Sequence, residues 1–196
     1  EMMYASSNER LGEEDGSSRF QMFGFYVWNN VRIGFQTFAG GVLFGLGSVF
    51  FLLLNGIFIG SFIGYVAELG LTEEIFSFVA GHSAPELLAI ALSGAAGLKL
   101  GAALISPGRR SRALALTEDG AKAFQLAGGA GLMFLAAAFV EAFWSPLQIT
   151  PVAIKYAVGI ALWVLLGLYF ALVGRHTSGP WRNTGGTRDD QASDGA

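Results

Sequence analysis

Residues 33–67 contain no Asp, Glu, Lys, Arg or His over 35 consecutive positions. A helix crosses the hydrocarbon layer of a membrane, about 30 Å thick, with about 20 predominantly apolar residues. As one straight helix the run would measure about 52 Å at about 1.5 Å per residue, so it must break before it fits. A second uncharged run, 123–140, is of spanning length by itself. The rest of the chain agrees. Charged residues make up 14% and glycine 28 of 196 positions, against about 25% charge and about 7% glycine in soluble domains. The predicted fold is all-α: a polytopic transmembrane helical bundle of four to five membrane segments plus an amphipathic, interfacial helix. The absence of cysteine excludes disulfides, thiolate metal sites and cysteine nucleophiles. A net charge of −3 without a dense basic run argues against nucleic acid as a partner. The lipid bilayer is the first partner.

Residues 1–19 are polar and mostly acidic and read as an arm, since the basic start and short apolar core of a signal peptide are missing. The chain opens at Glu1 rather than Met, as an N-terminally shortened piece would. The membrane domain covers 20–174. An amphipathic helix is predicted over about 20–38, with Phe23, Tyr26, Val27, Asn30 and Gly34 on one face and Arg32 able to reach headgroups. Gly40-Gly41 then breaks the long run and leaves a span over 41–67. A break at Asn55-Gly56 instead gives two crossings, 33–53 and 56–68, and inverts the side of the N-terminus. Glu68, Glu73 and Glu74 read as an acidic loop, and Ser83 before Pro85 marks the start of a span over 84–105. Spans over 123–143 and 152–173 follow, and 175–196 has the composition of a disordered tail.

Basic residues set the orientation. The loop 107–122 holds Arg109, Arg110, Arg112 and Lys122, whereas 68–85 and 144–154 hold no Lys or Arg. The positive-inside rule therefore places 107–122 in the cytoplasm. Gly56, Gly60 and Gly64 recur every four residues, and Gly97 and Gly101 repeat the spacing. Such helix faces admit a second backbone closely, from the same chain, a homo-oligomer or a partner.

Polar residues at membrane depth are costly and are the functional candidates: Asn55, His82, Glu86, Lys99 and Glu141. His82 and Glu86 stand four apart on one helix face, and the topology brings Glu141 to a similar depth. An imidazole with two carboxylates suits zinc or manganese, passes protons, or simply caps helices, although Pro85 weakens the four-residue geometry. Asn55 bonds carbonyls freed at the Asn-Gly step or lines a path. Lys99 snorkels to headgroups or neutralises a carboxylate. With no nucleophile elbow, phosphate loop or HExxH helix in the sequence, no enzyme and no cofactor is expected. An intramembrane metalloenzyme using His82, Glu86 and Glu141 is the minor alternative.

The blocks FGFYVWNNVRIGFQTFAGGVLFGLGSVFFLLLNGIFIG, FVAGHSAPELLAIALSGAAGLKLGAALISPGRRSR, AAFVEAFWS and KYAVGIALWVLLGLY together resemble the stage II sporulation protein M family of bacterial and archaeal membrane proteins. The resemblance covers about 20–174 and points to Asn29, Asn30, Arg32, Asn55, Gly56, His82, Glu86, Pro107, Gly108, Arg112 and Glu141 as family-pattern positions. Pro85 departs from the pattern. The resemblance implies a further N-terminal region with another span. It also implies a membrane scaffold that, in spore formers, recruits peptidoglycan-degrading partners and does not cut the wall itself. The resulting expectation is a non-enzymatic assembly protein of a prokaryotic cytoplasmic membrane that organises membrane or extracytoplasmic partners, a homo-oligomer included. A permease or channel-like subunit, with a path lined by Asn55, His82, Glu86, Lys99 and Glu141, is the alternative.

Overall fold

The computed structural model describes residues 2–173, with side chains from residue 16 onward. The tail predicted over 175–196 lies outside the described residues. The elements are α1 (Met2–Ala39), a 3-10 turn (Gly40–Val42), α2 (Leu46–Glu68), α3 (Thr72–Ile105), α4 (Arg112–Phe143) and α5 (Val152–Val173). The described residues are all-helical apart from turns, and α2, α3, α4 and α5 are each long and apolar enough to cross a membrane.

The antiparallel pair α3–α4 forms the most extensive interface, and alanine explains it. Ala89, Ala96 and Ala103 on α3, and Ala123, Ala130 and Ala137 on α4, recur every seven residues and are at most 3% exposed. A seven-residue repeat keeps one stripe of each helix facing its partner in a left-handed crossing. Methyl groups in that stripe let the two backbones approach closely, which lipid rewards through packing rather than through hydrophobic burial. Ile90, Phe134, Ile33, Leu52 and Met133 fill the space beside the stripe.

The long uncharged run breaks after Ala39, at the first of the two predicted sites. Gly45 adopts φ +81° and Phe44 φ +56°, a left-handed pair that turns the chain into α2. Asn55-Gly56 leaves α2 unbroken, because the Asn55 amide donates to the Phe51 carbonyl one turn back at 2.8 Å. The turn is pressed onto α3. A Cβ on Gly97 would meet Ser48 Oγ and, at 2.8 Å, the carbonyls of Phe38 and Thr37. Ser48 Oγ in turn donates to the Thr37 carbonyl at 2.7 Å and is fully buried. Ser48→Ala is expected to cost about 1 kcal/mol through that lost bond, read as a lowered unfolding midpoint in detergent.

Three extents differ from those predicted. The backbone is already helical at Met2, the first described residue, so the polar arm continues into the amphipathic segment; 2–39 contains no proline to stop it. From residue 20 this helix runs antiparallel along α4. Phe20 meets Phe143 at 5.3 Å between ring centroids, and Phe38 packs on Ala96, Leu100 and Ala123. The inward face carries buried Asn30, Gly34 and Thr37.

α3 starts at Thr72, not at Ser83, and holds Pro85 in its interior. Glu73 and Glu74 occupy its first turn, where carboxylates complement the helix dipole. Ser83 Oγ bonds the Ala80 carbonyl of its own helix at 3.3 Å instead of capping a new one. Packing holds the proline turn in place: Gly159 of α5 seats on Ala80, and Trp163 Nε1 donates to Ser83 Oγ at 3.2 Å. α4 starts at Arg112, eleven residues before the predicted span. Its N-cap Ser111 accepts from the Leu114 amide at 3.2 Å.

Candidate functional site

The alanine stripe of α3, continued one heptad towards its N-terminus, reaches His82. The imidazole therefore stands in the seam where a methyl group would be, 3% exposed. Four residues beyond this seam position lies Glu86. Four residues beyond the last seam alanine of α4, Ala137, lies Glu141. One helical turn thus projects both carboxylates towards the imidazole from opposite helices. The ligand atoms of His82, Glu86 and Glu141 all lie within 4.8 Å of one another.

Neighbouring elements fix this group from outside. His82 Nδ1 is 3.1 Å from Ser145 Oγ, in the turn after α4. The tautomer that donates Nδ1–H to Ser145 leaves the Nε2 lone pair facing the carboxylates. Nε2 stands 3.8 Å from Glu86 Oε2, beyond hydrogen-bond length. Lys155 of α5, 7% exposed, donates from Nζ to the Ser145 carbonyl at 2.7 Å and ties that turn to the bundle. On the α1 side, Asn30 is 2% exposed and its side chain approaches the Glu141 carboxyl. Neither Asn30 Nδ2 nor Glu141 Oε2 completes a hydrogen bond. The ring of Phe78 lies edge-on to His82 at 5.4 Å, and the Trp144 indole seats on Gly81. The group is partly screened from water and incompletely satisfied.

The other candidates lie elsewhere. Asn55 spends its amide within α2. Lys99 is thirteen residues from Glu86, about 20 Å along α3, with Nζ 3.9 Å from Asp119 Oδ1. Arg110 binds Glu118 and Asp119 at 2.8 and 2.7 Å, whereas Arg109 and Arg112 are exposed. Asn29 donates to Asn30 Oδ1 at 3.5 Å, and Arg32 is exposed on the outer side of α1. The glycines divide. Gly97 and Gly101 meet the 40–48 turn, while a Cβ added at Gly56, Gly60 or Gly64 would have no neighbour within 4 Å among the described residues. Sequence reasoning passed over Ser145 and Lys155. A lysine four residues into an apolar span was the available signal for the latter.

A family model described as Stage II sporulation protein M matches residues 2–146, a range that holds the whole histidine–glutamate group and Ser145. No curated protein and no solved structure matches the chain. The chain belongs to the stage II sporulation protein M family.

Proposed function

We propose that this member of the stage II sporulation protein M family is a non-enzymatic scaffold of a prokaryotic cytoplasmic membrane. It gathers membrane or extracytoplasmic proteins, those that remodel the cell wall included, and copies of itself. The observation that carries this reading is the course of α2. Its most apolar stretch is 6% buried. Beyond Leu52, which seats on Gly94, a Cβ on the ridge Gly56–Gly60–Gly64 would have no neighbour within 4 Å among the described residues. Such a ridge suits close lateral contact with another helix. Arg32 points the same way, since it is exposed on α1 two residues from Gly34, which packs on Phe134 in mid-bundle. Charge at that depth requires polar company. A transport path finds less support, because Asn55 and Lys99 stand apart from the histidine–glutamate group.

The test is the triple variant Gly56→Leu, Gly60→Leu, Gly64→Leu, captured and crosslinked from native membranes beside the parent protein. The bundle is expected to stay folded while the oligomer and the co-purified partner set are lost. An unchanged oligomer and partner set would remove the proposal.

On this reading the 107–122 loop faces the cytoplasm, with exposed Arg109 and Arg112 at anionic headgroups. The antiparallel course of 20–39 along α4 then puts the start of that segment on the outer side, together with the α2–α3 turn. Ser17→Cys and Gly70→Cys, made singly in this cysteine-free chain, are expected to label from the same side with an impermeant thiol reagent. Labelling from opposite sides would mean that 20–39 lies on the membrane instead of crossing it.

A further inference from the structure

We infer that His82, Glu86 and Glu141 form a divalent transition-metal site that bolts α3 to α4 at the end of the alanine seam. The inference does not depend on the scaffold reading.

The donor set is one imidazole nitrogen and two carboxylate oxygens, the mixture that zinc and manganese accept. The spacing fits an ion better than a direct bond. Two ligands each about 2.1 Å from one tetrahedral ion are roughly 3.4 Å apart. The 3.8 Å from His82 Nε2 to Glu86 Oε2 is too long for a hydrogen bond and needs only a small contraction to reach that value. All three donors lie within 4.8 Å of one another, close to the spacing of ligands around one ion.

The surroundings carry the second argument. A ligating histidine usually engages its other ring nitrogen with an oxygen that fixes tautomer and ring plane. His82 Nδ1 does so with Ser145 Oγ at 3.1 Å, and Lys155 holds the turn bearing that serine. Asn30 supplies what the far carboxylate lacks. Its buried side chain reaches the Glu141 carboxyl, and neither its Nδ2 nor Glu141 Oε2 completes a hydrogen bond. An ion drawing one Glu141 oxygen inward would leave the other for that amide. A core of neutral packing has no use for a buried amide and carboxyl that meet without completing their hydrogen bonds, whereas a ligand shell does. Three protein ligands leave a coordination position for water.

The experiment uses the full chain in detergent or nanodiscs, stripped with chelator and titrated separately with Zn2+ and with Mn2+. Metal content is read by mass spectrometry, and Co2+ substitution is read by visible absorption. The expected result is one ion per chain for at least one of the metals, with Co2+ bands of a nitrogen–oxygen site. His82→Ala should abolish both signals, and Ser145→Ala should weaken affinity about 10- to 100-fold, as loss of an outer-shell partner does. The near-isosteric double variant Glu86→Gln, Glu141→Gln keeps the test decisive if His82→Ala does not fold. It should elute as the parent does, with unchanged helical content, and bind no ion. Binding by neither metal overturns the inference. So does equal binding by parent and double variant, which would mean an adventitious ion only.

Discussion

Gly97→Leu is expected to leave no folded bundle to purify. The Cβ alone meets Ser48 Oγ and stands 2.8 Å from two backbone carbonyls, those of Phe38 and Thr37. Backbone cannot rotate away as a side-chain tip can. The same spot is approached from the other direction by Gly41, whose own Cβ would collide with the Gly97 backbone. Overpacking a well-filled core costs about 1–3 kcal/mol and sometimes more, against a total stability of about 5–15 kcal/mol. Here four atoms are added where not even one fits. The variant is expected in the void volume on size exclusion, at a small fraction of the parent's yield. Gly60→Leu is the control, since nothing lies within 4 Å of its Cβ, and it should melt as the parent does. A parental midpoint for Gly97→Leu would show that the 40–48 turn does not lie on α3.

The contrast between these two glycines shows what the sequence could and could not express. Both belong to four-residue spacings that look alike in one dimension. Gly97 faces the 40–48 turn because that turn folds back, and nothing in the letters says which neighbour arrives. Apolar run lengths were legible, so α5 starts where hydropathy places it, at Val152. Local breaker rules did less well. Pro85 and Ser83 carry the features of a helix start, yet the turn before them has α5 packed against it, and tertiary contact outweighs the missing backbone donor. The seven-residue alanine repeat was visible but lies beneath a chain rich in small residues, and its meaning appears only when α3 and α4 are laid side by side. Glu141 shows the same limit. Its distance from His82 and Glu86 depends on the register between two helices, which the repeat sets and composition does not.

That register produces the other large expected effect, in which Glu141→Gln acts with opposite sign on metal-free and metal-loaded protein. Without an ion, an imidazole and two carboxyl groups share a 4.8 Å neighbourhood, and a buried oxygen of Glu141 lacks a hydrogen bond. Leaving such an atom unsatisfied costs roughly 1–3 kcal/mol. Glutamine has nearly the same shape, carries no charge, and adds two N–H donors where Glu86 Oε2 and the His82 ring lie close by. Chelator-treated Glu141→Gln is therefore expected to unfold above the chelator-treated parent. Adding Zn2+ or Mn2+ should reverse the order. A ligand at 100 times its Kd stabilises the parent by about 2.7 kcal/mol, and the variant, short of one ligand, gains far less. The measurement is a pair of thermal melts in detergent, with chelator and with excess metal. If Glu141→Gln melts below the parent with chelator and metal shifts neither protein, the carboxylate serves packing alone and the seam ends in an ordinary polar contact. A crossing of the two orders means that the chain keeps a destabilising carboxylate in order to hold an ion.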